Sequence, residues 1–206
     1  KTQVVYVLEG NDATLSHTSA GKTAEHRMPR RAGVYLEPGE EAAVTASGPP
    51  LVLLVVTVPK HTTKSGADQS PVGYFFEESR LRSLVDEKQI RERTFWVNKE
   101  TGLSGAWDLQ LGRMQYAPRA HSPRHVHHAS KTSSVTPEHF YFIEKGTGEV
   151  KHDMGTLPVG PGTSRRAPVL RSAQRGIGFT ILWSQRVLRE PAALRDQLQM
   201  SVRIHG

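Results

Sequence analysis

Most apolar residues of this chain fall in short runs closed by turn residues. Val4 to Leu8 is rich in β-formers and ends at Glu9-Gly10-Asn11-Asp12, a turn signal. Gly33 to Glu37 reads as a short strand ahead of Pro38-Gly39. Leu51 to Val58 is the longest apolar run, eight residues closed by Pro59, and reads as a buried strand. From Trp107 to Met114 apolar and polar residues alternate, which puts Trp107, Leu109, Leu111 and Arg113 on one face of a strand. A strand-rich region follows as far as Trp183. Between these stretches, residues 60–72 have a loop composition. Ser79 to Arg93 sets Leu81, Leu84, Val85 and Ile90 among charges and predicts a short helix. Pro191 to Met200, with Pro191 near its start, predicts a C-terminal helix.

The pattern repeats. Gln3-Val-Val-Tyr-Val-Leu-Glu-Gly10 is echoed by His139-Phe-Tyr-Phe-Ile-Glu-Lys-Gly146. Tyr35-Leu-Glu-Pro-Gly39 is echoed by Pro158-Val-Gly-Pro-Gly162, and each is followed by an apolar run, Leu51 to Val58 and Ile177 to Trp183. A duplicated β domain explains this order. The expected organisation is a first domain over 1–65, a bridging segment over 66–105 and a second domain over 106–206, a length that suits two domains of about 100 residues.

Composition narrows the function classes. No apolar run approaches the roughly 18 residues of a membrane-spanning helix. The formal charge of +7 comes from scattered basic residues, with no zinc-finger spacing, basic recognition helix or RNA-binding sheet signature, so no nucleic-acid partner is expected. The scattered charges read first as a solvated basic surface, and alternatively as a field that steers a small anionic substrate. The absence of cysteine removes disulfides, thiolate ligands and a thiol nucleophile, and fits a cytoplasmic location.

Histidine is the residue type that carries candidate chemistry. Five of the ten lie between positions 121 and 139: His121, His125, His127, His128 and His139. On a strand His125 and His127 share a face, while His128 takes the other. His139 opens the next apolar run and shares a face with Tyr141 and Ile143. If these two strands are neighbours, three imidazoles converge. Neutral imidazole nitrogens at about 2.0–2.2 Å suit Fe, Ni, Cu, Zn or Mn and leave positions open for water or substrate. His121, His128, His152 and His205 read as surface residues or supports.

These stretches resemble the cupin superfamily, whose first motif runs His-x-His, a short gap, Glu, six residues, Gly, and whose second is Pro-x-Gly-x-x-His. Here the first reads His125-Val-His127, with His139 in the glutamate position, six residues before Gly146. The second reads Gly160-Pro161-Gly162-Thr-Ser-Arg165, with Arg165 in the histidine position. In the first half the glutamate position falls on Gln3, and the second motif falls on Glu37-Pro38-Gly39-Glu40-Glu41-Ala42, without histidine. The resemblance implies an all-β protein of two tandem jelly-roll barrels with a short C-terminal helix, metal-free in the first and metal-binding in the second.

Two departures stand out. Eleven residues separate His127 from His139, against three or four in the family motif. The stretch from Gly146 to Pro161 is short for a strand, hairpin and return strand, as though residues were absent near Lys151 to Gly155. A three-histidine shell neutralises none of a divalent metal's charge and so favours an anionic ligand. Arg165 would fork a substrate carboxylate, and Tyr141 would donate a hydrogen bond. Three-histidine cupins resemble the iron-dependent dioxygenases of aromatic or thiol substrates, which implies Fe(II), with Zn, Ni or Mn as alternatives. The superfamily also holds lyases, isomerases, hydrolases and non-catalytic ligand-binding or regulatory proteins, and fold alone does not choose among them. A homodimer through sheet edges fits the resemblance as well.

Overall fold

The computed structural model describes residues 2–19, 21–48, 50–58, 74–88, 90–97, 109–118, 120, 137–152, 155–167, 180–187 and 199–205. In chain order these form β1 (Thr2–Glu9), β2 (Ala13–Ser19), β3 (Lys22–Met28), β4 (Ala32–Leu36), β5 (Glu41–Ala46), β6 (Leu51–Val58) and β7 (Tyr74–Glu77). Then come β8 (Ser83–Asp86), β9 (Arg91–Val97), β10 (Leu109–Tyr116), β11 (Pro137–Lys145), β12 (Gly148–His152), β13 (Gly155–Val159), β14 (Ser164–Ala167), β15 (Thr180–Val187) and β16 (Gln199–His205). Strand pairing is antiparallel, as in a cupin-type jelly roll. Among the described residues the one helical piece is a 3-10 turn at Glu78–Arg80, and no helix is long and apolar enough to cross a membrane.

The elements gather into two units, one of β1–β7 with β16, the other of β8–β15. In the first, a five-stranded sheet ordered β16-β6-β1-β4-β7 accompanies a three-stranded sheet ordered β3-β2-β5. Its core draws Val5 and Val7 from β1, Leu15 from β2, Met28 from β3, Val34 from β4 and Leu53 from β6. It therefore lies between the two sheets. Val4, Tyr6 and Leu8 of β1 are buried as well, so the strand is covered on both faces and reads as a continuous apolar run. Each such Val or Leu is worth about 1.5–3 kcal/mol on full burial.

The second unit has a six-stranded sheet, β14-β11-β15-β10-β9-β8, and the hairpin β12-β13. Its core joins Met114 and Tyr116 of β10, Ile143 of β11 and Val159 of β13, with Phe95, Tyr141 and Val150 packed against it.

Three expectations are corrected. The tail is not helical where it is described: Gln199–His205 is a strand, paired with β6 from Gln199↔Thr57 to His205↔Leu51. Met200, Val202 and Ile204 repeat with period two, and a free sheet edge outweighs helix propensity. Residues 188–198 lie outside the described residues. The stretch Ser79 to Arg93 is not a helix either. After the 3-10 turn it forms β8 and runs into β9, paired from Ser83↔Thr94 to Asp86↔Arg91. Lastly, Gly146 to Pro161 is long enough. It holds β12 and β13, paired from Gly148↔Val159 to His152↔Gly155.

The echo in sequence has local counterparts in the backbone. Central strands β1 and β11 each lie between two partners, and each carries a register shift at the same point, Val7/Glu9 and Ile143/Lys145. Each ends at a left-handed glycine, Gly10 (φ 100°) and Gly146 (φ 80°). The turn into β4 is tied by Arg31 N–H to Val7 O (3.0 Å) and Ala32 N–H to Pro29 O (3.0 Å). The turn into β14 is tied in the same way by Gly162 N–H to Ile143 O (2.9 Å) and Thr163 N–H to Gly160 O (2.9 Å). Arg31 (φ 68°) thus corresponds to Gly162 (φ 78°). This moves the counterpart of Gly160-Pro161-Gly162 from Glu37-Pro38-Gly39 to Pro29-Arg30-Arg31.

Candidate functional site

His139 lies on β11, opposite Ala167 of β14 on one side and Gln185 of β15 on the other. Tyr141, two positions along, stands opposite Arg165 and Trp183. The turn before β14 fixes this register. Besides the two bonds above, Gly160 N–H donates to Thr163 Oγ1 (3.1 Å) and Ile143 N–H to Thr163 O (2.9 Å). The β11–β14 pairing therefore brings positions 139, 141 and 165 to one edge of the sheet. His125 and His127, with His121 and His128, lie outside the described residues. Among the described residues no three His, Asp or Glu side chains converge on a point.

Tyr141 packs on the core formed by Met114, Tyr116, Ile143 and Val159. Burial pushes its phenol well above the ordinary tyrosine value, Tyr116 pushes the same way, and the Arg91 guanidinium opposes them. The group is therefore a neutral hydroxyl at neutral pH. Arg91 is held by Asp86 at 3.3 Å. Arg93 lies over the Phe95 ring at 5.7 Å, and its burial, with Arg91 beside it, opposes its charged form. The inner side of this sheet is thus cationic and aromatic.

The first unit carries different residues at the corresponding positions. The counterpart of His139 is Gln3, whose amide donates to Thr57 Oγ1 at 3.2 Å. The counterpart of Tyr141 is Val5 and that of Arg165 is Val34, both in the apolar core. Valine has no donor atom, so this set does not fit a metal. Position 139 carries an imidazole, a donor type that metals accept.

One histidine lies inside the first unit, far in sequence from the histidine-rich stretch. On β2, Ala13, Leu15 and His17 are buried, while Thr14 between them is exposed. His17 is 4% exposed. Its Nε2 lies 3.5 Å from Glu40 Oε2, and no hydrogen-bond partner for it is present among the described residues. Glu40 also accepts the Glu37 N–H at 2.9 Å. The alternation Ala13-Leu15-His17 is the signal in the sequence that marks it.

No family model matches the chain, and no curated protein matches its sequence. Solved structures do match in fold. Protein Ylba from E. coli is 19% identical with a TM-score of 0.62, over 94% of this chain and 70% of that one. An oxalate decarboxylase from Lactobacillus farciminis, solved as a formate complex, is 12% identical with a TM-score of 0.66, over 92% and 71%. The Bacillus subtilis oxalate decarboxylase, described for its Mn(II) centers, is 10% identical with a TM-score of 0.65, over 97% and 65%. At these identities the likeness is one of fold.

Proposed function

We propose that this chain is a bicupin, two tandem jelly-roll barrels, whose second barrel is a metal-dependent enzyme site for a small carboxylate anion. The observation that supports the reading is the β11–β14 register of the second unit, which sets Tyr141 opposite Arg165, two positions from His139. The corresponding positions of the first unit hold Gln3, whose amide is bonded to Thr57, and Val5 and Val34, which have no donor atom. His125, His127 and His139 would hold a divalent transition metal, and the metal, when bound, supplies Lewis-acid or redox chemistry at its open positions. Fe(II) and a dioxygenase reaction follow from the three-histidine resemblance. Mn(II) and decarboxylation are supported by the likeness to the oxalate decarboxylases.

The chain's own groups divide the remaining work. Arg165 binds a substrate carboxylate through two parallel N–H···O bonds and fixes its plane. Tyr141, kept protonated by its surroundings, donates to a substrate oxygen and does not add negative charge. Arg91 and Arg93 raise the local potential and favour entry of an anion.

The test is metal content and gas exchange. Purified full-length protein is expected to carry about one divalent metal per chain. With iron, it takes up oxygen on addition of an aromatic carboxylate or thiol; with manganese, it releases carbon dioxide from oxalate. The double variant H125A/H127A is expected to lose the metal and keep the wild-type circular dichroism spectrum. Unchanged metal content in that variant overturns the site.

A further inference from the structure

Strand β9 alternates, with Arg91, Arg93 and Phe95 on one face and Glu92, Thr94 and Trp96 on the other. Its neighbours show where the arginine face points. Arg91 lies opposite Tyr116 and Arg93 opposite Met114 on β10, and both partners belong to the core on which Phe95 packs. On the other side Arg91 lies opposite Asp86 and Arg93 opposite Leu84 of β8, the outermost strand of the sheet among the described residues. Two guanidinium groups thus stand side by side on the inner face of the sheet, near its margin, where Leu84, Asp86, Arg91 and Arg93 are all half-buried. A solute can reach them there.

The nearby carboxylate goes to one of the two. Asp86 Oδ2 lies 3.3 Å from Arg91 Nη2, and among the described residues Arg93 has no acidic group within ion-pair distance. The Arg93 Nε is buried and has no hydrogen-bond partner among the described residues. The Phe95 ring, 5.7 Å from the guanidinium carbon, engages a face of the group and none of its in-plane donors. Burial and the Arg91 charge both work against the Arg93 cation, and Asp86 and Tyr116 offset them only in part. A guanidinium drawn out of water is stable when its donors are met. The unmet donor also says what would meet it. Nε–H and a neighbouring Nη–H form a fork of two parallel donors, which a planar carboxylate matches. One uncompensated positive charge is balanced by a monoanion better than by a dianion. Leu84 and Met114 flank Arg93 on either side, so the surroundings of the fork are apolar.

We propose that Arg93 binds a monocarboxylate with an apolar body at the inner margin of the second unit, while Asp86 occupies Arg91 and limits the affinity. The proposal rests on the reading of the second unit as a carboxylate site. It needs neither a metal nor Arg165.

The test is isothermal titration of benzoate into full-length protein, as purified and after chelator treatment. Wild type is expected to bind benzoate in both states, and the uncharged benzamide at least about tenfold more weakly. R93K keeps the charge but loses the fork, and R93Q loses both. Each is expected to weaken benzoate binding at least about tenfold. D86N removes a negative charge beside the anion and is expected to tighten binding several-fold. R27Q removes an exposed charge from the first unit and is expected to bind as wild type does. Thermal unfolding is recorded for each variant. Wild-type affinity in R93K and R93Q, benzamide bound as tightly as benzoate, or binding lost on chelation overturns the role of Arg93 and leaves the carboxylate reading standing. No binding of benzoate by wild type overturns the monocarboxylate site, and no binding of acetate or oxalate either overturns the carboxylate reading with it. If neither Arg93 variant folds, D86N decides, and unchanged or weaker binding there overturns the proposal.

Discussion

Tyr6 donates its hydroxyl proton to Glu78 Oε2 at 2.6 Å across 72 residues of chain, with both side chains buried. The carboxylate needs that donor, because no bulk water replaces it. Tyr6→Phe is expected to cost about 1.5–3 kcal/mol, the range for a hydrogen bond to a charged group. Urea unfolding checks it, and a loss below about 0.5 kcal/mol contradicts the burial argument. A second residue-level expectation concerns base. Burial and the neighbouring Glu37 raise the Tyr35 phenol, burial and Tyr116 raise Tyr141, and burial raises Tyr74. In the unfolded chain these groups lose their protons near pH 10. Above that the folded state binds more protons than the unfolded one, so folding stability is complete below about pH 10 and is lost as pH rises. Each group contributes a slope of about 1.4 kcal/mol per pH unit. Unfolding midpoints between pH 9 and 12 should fall, and the Y35F variant should show a shallower fall. An equal slope in Y35F removes Tyr35 from the account.

At the scale of the element, two glycines let strands approach. A Cβ on Gly33 of β4 would meet the Phe76 ring and lie 2.9 Å from Val5 O, and one on Gly112 of β10 would run into Thr94 O. Backbone oxygen within a ladder yields little. Gly112→Ala is expected to destabilise the second unit by about 1–3 kcal/mol, read as a lower unfolding midpoint, and a neutral result would mean that β9 and β10 shift apart cheaply. The turn that sets β14 against β11 is another such device. Its left-handed residue is Gly162 in the second unit and Arg31 in the first. Arg31 carries the cost of that backbone region, so Arg31→Gly is tolerated on backbone grounds while Gly162→Ala is strained.

At the scale of the molecule, the first unit is not contiguous in sequence. Its outermost strand on one side of the larger sheet is β16, a seven-residue strand late in the chain laid on β6. Seven cross-strand pairs at about 0.2–1 kcal/mol each amount to roughly 1–7 kcal/mol, and their loss bares the Leu51–Val58 edge. A chain ending at residue 198 is therefore expected to unfold at lower temperature and to aggregate. A truncated chain as stable and monomeric as the full one would show that β16 is dispensable.

Strands whose residues are apolar on both faces, or alternate cleanly, are legible from residue order: β1, β4, β6 and the stretch running through β10 announce themselves. The echo of β1 in β11 is legible too, because a register shift and a glycine turn need the same residues wherever they occur. What the order of residues alone determined was thus the all-β class, its repeat and the histidine stock of the second half. The small sheet was not legible. In β3 six of seven residues are exposed or half-exposed, and nothing but pairing with β2 makes it a strand. Nor was the fate of Gln199–His205, since a seven-residue segment of mixed propensity takes the conformation of whatever edge it meets. Only the tertiary structure decided which turn corresponds to which, and with it that Val34 in its unit and Arg165 in the other hold corresponding positions. Register is a property of two strands together, and a single strand's residues do not contain it.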